Sequence, residues 1–404
     1  MKKRLKFLVA MVFATLLSAN VFAYDFVVNG IYYNINSDGT TVSVISGNDS
    51  YSGNVTIPST VTYNGTTYGV TTIGNKAFHN CTGLTSVTIG NSVTTIEGQA
   101  FDFCTSLTSV TIPNSVTSIG GWAFYGCTGL TSVTIGNSVT TIGGFAFYGC
   151  TGLTTINYNA VNCNGGGFSY DYHWLDGCDN ITTVNIGDSV QTIPTYFMYQ
   201  KSSLTSFTIP NSVTTIGEYA FEGCTGLTSV TIGNSVTTIG IKAFNGCTSL
   251  SVLQIGTSVN TIEDRAFYKC SGLNTIDCKA ENPPVLGSAV FGSINKDNVT
   301  VIVPCEKSSL YQNAIGWSLF NNIVENCESS IDVVEENQIL VYPNPAKESI
   351  TLESDEDIFI FNNLGQIVKQ VNNPKGETTI SISDLPRGIY YLKTGNKQQK
   401  LIKE

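Results

Sequence analysis

The chain has 404 residues, of which 42% are hydrophobic and only 12% are charged. Asp and Glu together number 30 and Lys and Arg 20, which leaves a net charge of −10 at pH 7. An acidic chain without a basic cluster is poorly suited to bind nucleic acid or anionic lipid, because both are polyanions. We therefore expect no nucleic-acid partner.

Residues 1–23 have the pattern of a secretory signal peptide. Basic residues crowd the first six positions, the apolar run FLVAMVFATLLSA follows, and Val21–Ala23 offers small residues for cleavage. The run is too short to span a bilayer comfortably, and no later stretch is long and apolar enough to do so. The sequence predicts a secreted protein with no transmembrane segment after signal removal.

A repeat of 23 residues occupies most of the chain. An Ala-Phe pair at Ala77 recurs every 23 residues up to Ala146, and the register resumes after an insertion near residues 159–173. Nine units over residues 77–279 follow the template A-F-x-x-C-x-x-L-x-x-V-x-I-x-x-x-V-x-x-I. One unit alone buries too little apolar surface to offset the entropy of ordering it, so the units must stack.

Each unit combines two periods. Ala123, Phe124 and Cys127 share one face of a helical turn, whereas residues 130–135 alternate between inward apolar and outward polar side chains, as in a strand. The predicted fold class is mainly β: a solenoid of 23-residue coils, each with a strand and a short helical turn. We expect β-rich caps at residues 24–76, where Asn64-Gly65 is a hairpin signal, and at residues 280–327.

The sequence of the repeat, with its Ala-Phe pair, its Cys and the segment SVTTIG, closely resembles the BspA-like leucine-rich repeats of bacterial surface proteins. The resemblance covers roughly residues 25–327, and it implies adhesion to host or neighbouring-cell proteins. The departures from the template are local: Lys201 replaces the Cys, Trp174-Leu175 and Phe197-Met198 replace Ala-Phe, and Cys278 replaces an inward Ile.

Composition changes after Cys327. Residues 328–337 are polar and acidic, as expected of a linker. Residues 338–404 hold short alternating runs between turns, which predicts a small immunoglobulin-like antiparallel β-sandwich.

Three motifs of this second domain, VYPNPA, DLPRGIYYL and KLIKE, resemble the carboxy-terminal sorting domain of type IX secretion. The resemblance implies a Gram-negative cell and the type IX secretion machinery as a partner. The chain would cross the periplasm and either be attached to surface lipopolysaccharide or be released. An ordinary immunoglobulin-like module is the alternative. The sorting-motif residues are Tyr342, Pro343, Asn344, Pro345, Asp384, Leu385, Gly388, Tyr390, Lys400 and Leu401.

Residues for catalysis are sparse. The two histidines, His79 and His173, stand alone, outside any metal-binding spacing, and no G-x-S-x-G motif accompanies them. His79 lies at an outward template position and is expected to be solvated. We predict no enzymatic activity, no cofactor and no metal site.

Twelve cysteines in a secreted chain raise the question of disulfides, because the cell envelope is oxidising. Eight of them repeat at one template position and are expected to be buried free thiols, since their side chains point the same way from neighbouring coils. These eight are Cys81, Cys104, Cys127, Cys150, Cys178, Cys224, Cys247 and Cys270. Cys305 and Cys327 in the cap are the candidate disulfide.

Aromatic residues mark one region of the solenoid. If Ala123, Phe124 and Cys127 face the core, the flanking aromatic residues point outward by helical angle, and the next coil repeats them. Exposed contiguous aromatic residues mark interaction sites. The alternative is that loop packing half-buries them. The candidate ligand-binding residues are Trp122, Tyr125, Phe145, Tyr148, Phe168, Tyr170, Tyr172 and Tyr219.

These observations favour a secreted or surface-displayed binding module, or adhesin, for a protein or glycoprotein ligand of the host or of neighbouring cells. The alternative is a passive structural coat, whose outward Thr and Ser residues keep it soluble and which has no specific ligand. Whether the aromatic residues are exposed and contiguous distinguishes the two hypotheses.

Overall fold

The computed structural model describes residues 24–47, 50–163, 165–166, 171–327, 339–362, 366–372, 374–395 and 397–404. The predicted signal peptide at residues 1–23 and the predicted linker at residues 328–337 lie outside these ranges. The chain divides into two compact units, one ending at Asn326 and the other beginning at Cys327.

Six strands form the N-terminal cap of the first unit. They are β1 (Phe26–Val28), β2 (Ile31–Ile35), β3 (Thr41–Ile45), β4 (Gly53–Ile57), β5 (Thr60–Tyr63) and β6 (Thr66–Ile73). β1, β2 and β3 pair in antiparallel order, and β5 and β6 form the hairpin predicted at Asn64-Gly65, where φ is +48° and +82°. β3 pairs in parallel with β6, which begins the stack of coils.

Each following coil contributes one strand to each of two sides of a parallel β-solenoid. The strands are β7 (Leu84–Ile89), β8 (Thr95–Ile96), β9 (Ser109–Thr111), β10 (Ser118–Ile119), β11 (Ser132–Ile135), β12 (Thr141–Ile142), β13 (Thr155–Tyr158), β14 (Gly165–Gly166), β15 (Thr183–Ile186), β16 (Thr192–Ile193), β17 (Ser206–Ile209), β18 (Thr215–Ile216), β19 (Ser229–Ile232), β20 (Thr238–Ile239), β21 (Val252–Ile255), β22 (Thr261–Ile262), β23 (Thr275–Cys278) and β24 (Val285–Leu286). β7 pairs in parallel with β4 of the cap. Along one side, β6, β8, β10, β12 and β14 pair in order and β16, β18, β20, β22 and β24 form a second sheet; along the other, β9, β11, β13 and β15 form one sheet and β17, β19, β21 and β23 belong to another. The mainly β solenoid fold is confirmed, with a second, two-residue strand in each coil that the sequence pattern did not predict.

The inward-facing residues of the template form one continuous hydrophobic core. Val133 and Ile135 of β11 are fully buried, as are their equivalents in most other coils. The phenylalanine rings stack from coil to coil, with 5.1 Å and 4.9 Å between ring centroids from Phe101 through Phe124 to Phe147. A column of identical rings therefore requires an identical residue in each coil, which explains the repetition of the sequence.

Successive hydrogen-bonded turns form the Ala-Phe segment of each coil, where the sequence predicted a helical turn. In one of them the N–H of His79 donates to Lys76 O over 3.1 Å. Lys76 and Asn80 have φ of +59° and +56°, which a right-handed helix does not allow. The backbone instead bonds to the next coil, where the N–H of Phe78 donates to Ala100 O over 2.7 Å. The helical-turn prediction is wrong in this detail, because bonds within the coil alternate with bonds to the next coil and no helix forms.

The template cysteines are buried free thiols, which confirms the prediction. The thiol of Cys127 donates to Phe101 O over 3.1 Å, and the same bond to the preceding coil recurs at Cys150 and Cys247. Burial raises the pKa of Cys224 to about 12, so the sulfur retains the proton that it donates. The position therefore requires a small apolar side chain that is also a donor, which Cys provides.

The C-terminal cap closes the last coil. It contains β25 (Thr300–Pro304), β26 (Asn322–Asn326), the helix α1 (Ser308–Asn313) and two 3-10 helices, Lys296–Asn298 and Trp317–Leu319. Trp317 is buried at the end of the ring column, 5.6 Å from Phe291, and its Nε1–H donates to Pro284 O over 2.8 Å. Cys305 and Cys327, which directly follow β25 and β26, are disulfide-bonded. None of the helices in the described part of the chain has the length and apolarity that crossing a membrane requires.

The second unit is a pair of antiparallel sheets, as the sandwich prediction required. Its strands are β27 (Ser349–Glu353), β28 (Ile358–Phe361), β29 (Ile367–Val371), β30 (Glu377–Ser381), β31 (Gly388–Thr394) and β32 (Lys397–Lys403). β27 pairs with β30, and the other sheet has the order β29-β28-β31-β32. Ile350, Ile360, Leu392 and Leu401 contribute to the core between them.

Candidate functional site

Six aromatic rings form one continuous group over four successive coils. Within it the rings of Tyr125 and Tyr148 stack at 5.2 Å, and those of Trp122 and Phe145 lie 5.9 Å apart. We call the group the aromatic surface; its members are Phe103, Trp122, Tyr125, Phe145, Tyr148 and Tyr172.

Edge-to-face contacts join these two ring pairs to each other and to their neighbours. Phe145 lies 5.4 Å from Tyr148 and 5.6 Å from Tyr172, and Phe103 lies 5.1 Å from Tyr125. Such geometries are favourable between aromatic rings beyond the area that they bury. The rings therefore hold one another in position.

The rings of the aromatic surface are accessible to solvent. Trp122 is 46% exposed and Tyr172 is 57% exposed, while Tyr148 is also exposed and Tyr125 and Phe145 are half-buried. The surface is thus both exposed and contiguous. Of the other two candidates in the insertion, Phe168 and Tyr170 lie outside the described residues.

Phe103, Trp122 and Phe145 of the aromatic surface have a left-handed backbone, and this conformation, not a helical angle, directs their side chains outward. Trp122 and Phe145 have φ of +56° and +58°, at the position before the buried Ala-Phe pair. Bulky residues rarely adopt this conformation, and a non-glycine residue there costs on the order of 1–3 kcal/mol. The outward direction was predicted correctly, but the helical explanation for it was wrong.

Phe103 was missed by the sequence reasoning. It lies at a template position that Gly126 and Gly149 occupy in the next two coils. A Cβ added at Gly126 would come within 2.9 Å of the Phe103 ring, so the glycine leaves room for that ring to reach Tyr125. Comparison of aligned coils could have found it, because a large aromatic residue where neighbours have Gly departs from the template.

Tyr219, the eighth candidate, belongs to a different group of rings. It stacks on Tyr196 at 4.6 Å with an interplanar angle of 2°, and Tyr196 contacts Tyr199 at 5.4 Å. Lys242 Nζ lies 5.1 Å from the centroid of the Tyr219 ring. Among the residues that the structure describes, no ring contact joins Tyr219 directly to a member of the aromatic surface.

The template position of Tyr125 and Tyr148 carries a carboxylate in the preceding coil. That residue, Asp102, is buried, and its Oδ1 lies 2.7 Å from Nδ1 of the exposed His79. His79 is therefore exposed, as predicted, but it is paired with a buried acid of the next coil. Both carboxylate oxygens of Asp102 have partners in the solenoid, because Oδ2 also accepts from Gln99 Nε2 over 3.4 Å.

His173 directly follows Tyr172 of the aromatic surface in the chain. It is fully buried; Nε2–H donates to Tyr196 O over 2.6 Å, and Nδ1 accepts from the N–H of Leu175 over 3.3 Å. Burial, reinforced by the buried Lys201, lowers the pKa of His173 to about 3, so the ring is neutral at pH 7. Both ring nitrogens of His173 thus make hydrogen bonds to the backbone of the solenoid.

One group of possible metal-ligating side chains lies close together among the described residues: Cys305, Glu325 and Cys327. A metal ligand must be a thiolate, whereas both of these cysteines are disulfide-bonded. The group therefore offers a single carboxylate and does not fit a metal ion.

In the second unit, Asn344 connects the first sorting motif to the last strand. Its side-chain Nδ2 donates to Lys400 O over 2.7 Å, and its Oδ1 accepts from the N–H of Ile402 over 2.9 Å. Tyr342 pairs with Thr351 of the other sheet. The segment from Tyr342 to Asn344 therefore bonds to strands of both sheets. The partners of Asn344 are 56 and 58 residues away in sequence.

The other sorting-motif residues divide between core and surface. Tyr390 and Leu401 are buried, and the Tyr390 hydroxyl donates to Pro386 O over 2.8 Å. Leu385 is half-buried against the same core. The remaining motif positions are exposed: Pro343, Pro345, Asp384, Gly388 and Lys400. A cis peptide bond precedes each of the two prolines, and Gly388 begins β31. The Asp384 carboxylate lies 2.8 Å from Lys369 Nζ.

Comparison with known families identifies the repeats. The BspA type leucine rich repeat region matches residues 71–203 and 192–322 in six copies, which together span more than half of the chain. The chain belongs to the BspA-type leucine-rich-repeat family. Residues 340–404 match the secretion system C-terminal sorting domain.

Several solved structures are similar to this BspA-type chain. A leucine rich cell surface protein from Faecalibacterium prausnitzii is 23% identical, with 76% of this chain and 95% of that chain covered and a TM-score of 0.36. A leucine-rich repeat protein from Bacteroides ovatus is 24% identical, with coverage of 75% and 100% and a TM-score of 0.29. The T. pallidum leucine rich repeat protein is 23% identical, with coverage of 55% and 87% and a TM-score of 0.36. No curated protein matches the chain.

The two family matches define the cellular location of this BspA-type protein. It is a secreted, cell-surface protein, and its sorting domain implies the type IX secretion machinery as a partner. Leucine-rich-repeat and sorting-domain families are generally non-enzymatic.

Proposed function

We propose that this protein is a surface binding module that captures a protein or glycoprotein of the host or of neighbouring cells through the aromatic surface. The sorting domain delivers the solenoid, and the solenoid holds the ligand. The proposal assigns no catalysis to the chain.

The observation that supports this proposal is the continuity of the exposed rings. Trp122, Tyr125 and Tyr148 are of the residue types that most often dominate the binding energy of protein interfaces. A monomeric soluble protein rarely exposes a contiguous apolar patch that has no partner. The ring contacts also fix the side chains before binding, which lowers the entropy that association costs.

The chemistry of the aromatic surface predicts how the ligand is held. The carboxylate at the matching position of the preceding coil, Asp102, is buried and paired with His79. Ring stacking and apolar burial are much less sensitive to ionic strength than contacts between exposed charges. We therefore expect capture to persist at about 1 M salt, where the Debye length is about 3 Å.

The test is capture of extracellular-matrix and mucosal proteins by the purified mature chain. Replacing Trp122, Tyr125, Phe145 and Tyr148 by Ser removes four of the six rings without touching the core. Loss of even one hot spot of about 2 kcal/mol lowers affinity about 30-fold, so we expect at least that loss. Thermal melting of the variant should match that of the parent chain.

The matched control is Tyr268→Ser. Tyr268 occupies the same template position as Tyr125 and Tyr148, but its neighbours are Arg265 and Lys269. This variant should capture ligand as well as the parent chain does. Unchanged capture by the four-residue variant refutes the proposal, and failure of the parent chain to capture any matrix or mucosal protein favours the passive coat.

A further inference from the structure

The two sheets of the sorting domain differ in their outer faces. In the β27–β30 sheet the outward positions carry only polar residues, among them Thr351 opposite Thr379 and Glu353 opposite Glu377. This is the pattern expected when one face of an antiparallel sheet packs on the core and the other meets water.

The four-stranded sheet departs from that pattern. Its outward positions include Ile367, which is 53% exposed, and Ile389, which is 45% exposed, together with the exposed Tyr391 and Ile402. Cross-strand pairing places these residues on one face, which we call the apolar sheet face; it comprises Phe359, Phe361, Ile367, Ile389, Tyr391 and Ile402.

The rows of this face run across the strands. Phe361 lies opposite Tyr391, which in turn lies opposite Lys400, and Ile389 lies opposite Ile402. Phe359 lies opposite Lys393. The centre of the face is thus aromatic and aliphatic, with two lysines in its rows.

The sorting motifs supply half of these outward apolar residues. In GIYYL, Tyr390 and Leu392 are buried in the core while Ile389 and Tyr391 are exposed. In KLIKE, Leu401 is buried and Ile402 is exposed. The buried members account for the stability of the fold, but core packing gives no reason for the exposed members to be apolar.

The first motif fixes the edge of the same face. Asn344 bonds through both side-chain polar atoms to the backbone of Lys400 and Ile402, and Ala346 N–H donates to Ile402 O over 2.9 Å. A one-residue slip of an edge strand would turn every side chain to the opposite face. Asn344 is therefore a positioning residue that keeps Ile402 on the apolar sheet face.

We propose that the apolar sheet face is the surface through which the type IX secretion machinery binds this domain. The partner surface is apolar at its centre and carries a carboxylate opposite Lys400, whereas Lys393 borders Asp355, Glu356 and Asp357 of the domain itself. Delivery is the role of the domain, and the motifs that define it supply Ile389, Tyr391 and Ile402 to this face. The proposal does not depend on which ligand the solenoid captures.

The test uses the full-length chain in a cell that has the type IX machinery. Ile389→Thr, Tyr391→Thr and Ile402→Thr together make the face polar while keeping a residue suited to strands. We expect the amount of protein on the surface and in the medium to fall about tenfold or more, with accumulation in the periplasm. The matched control replaces Ser349, Glu353 and Ser381 of the polar sheet by Thr, and its export should equal that of the parent chain.

A conservative variant separates binding from folding. Ile389→Val, Tyr391→Phe and Ile402→Val preserve an apolar face and should restore export. Tyr391→Lys, a single exposed change, should reduce export without lowering the melting temperature of the purified chain. Export of the Thr variant at the parental level overturns the proposal. A concentration-dependent dimer that the Thr variant abolishes, with export unchanged, assigns the face to self-association instead.

Discussion

Acidification should destabilise the solenoid through His173. The ring is fully buried, with Nε2–H bonded to Tyr196 O and Nδ1 accepting the N–H of Leu175. A second proton would have to be placed on Nδ1, where the N–H of Leu175 already points. Asp176 Oδ1 lies 3.7 Å from Nδ1 and only partly offsets the cost of placing a proton there. Burial, followed by the charge of Lys201, still lowers the pKa of His173 to about 3.

The size and direction of the effect follow from proton linkage. The unfolded chain binds a proton at the ordinary pKa of 6.5, whereas the folded chain binds it only near 3. The stability is therefore fully present above pH 6.5 and decreases as the pH falls from 6.5 toward 3. Each pH unit in this window lowers the free energy of unfolding by about 1.4 kcal/mol, so the loss at pH 4.5 is about 2.7 kcal/mol.

The measurement compares urea unfolding of the parent chain and the His173→Gln variant between pH 7 and pH 4.5, followed by circular dichroism. Gln keeps a side-chain N–H for Tyr196 O but does not titrate. Other acidic groups affect both proteins alike, so the difference between the two curves isolates His173. We expect the parent chain to lose about 2.7 kcal/mol more than the variant by pH 4.5. Parallel curves would refute the reasoning.

Four further predictions concern the cysteines, the core, the sorting motif and the domain boundary. Thiol titration after unfolding without reductant should find ten free thiols, of which eight are the template cysteines, and a count below eight would mean that template cysteines are cross-linked. Phe244→Ala removes a ring stacked at 5.0 Å and 5.2 Å on its neighbours and should cost about 3–5 kcal/mol in urea unfolding, whereas a cost below 1 kcal/mol contradicts the ring column. Asn344→Ala should speed amide exchange at Ile402 and lower stability by about 1 kcal/mol, and unchanged exchange contradicts the positioning role. A chain ending at Asn337 should melt like the parent solenoid and remain in the periplasm; its appearance on the surface contradicts the separation of tasks.

The repetition of the sequence made the core predictable. Each inward position recurs in successive repeats of the sequence, so Val133 and Ile135 could be assigned to the core together with their equivalents in the other coils. The two-residue strands, such as Thr141–Ile142, could not be found by periodicity, because two residues are too few to show alternation.

The left-handed positions could not be predicted from residue type. Positive φ is signalled in a sequence by Gly or Asn, but the structure places it at Lys76, Gln99 and Trp122, which carry no such signal. Hydrogen bonds between coils impose this conformation, and those bonds exist only in the stacked array. The outward direction of Trp122 and Phe145 was nonetheless predicted, although the helical angle from which it was predicted is not the conformation that these residues have.

Fluorescence of Trp122 during ligand capture tests the binding proposal most directly. The chain has three tryptophans, and Trp174 and Trp317 are fully buried, so acrylamide quenching reports on Trp122. If the aromatic surface holds the ligand, a saturating amount of a captured matrix or mucosal protein that lacks tryptophan should reduce the quenching to nearly that of the buried pair. Unchanged quenching with ligand bound would show that the ligand occupies another face of the solenoid.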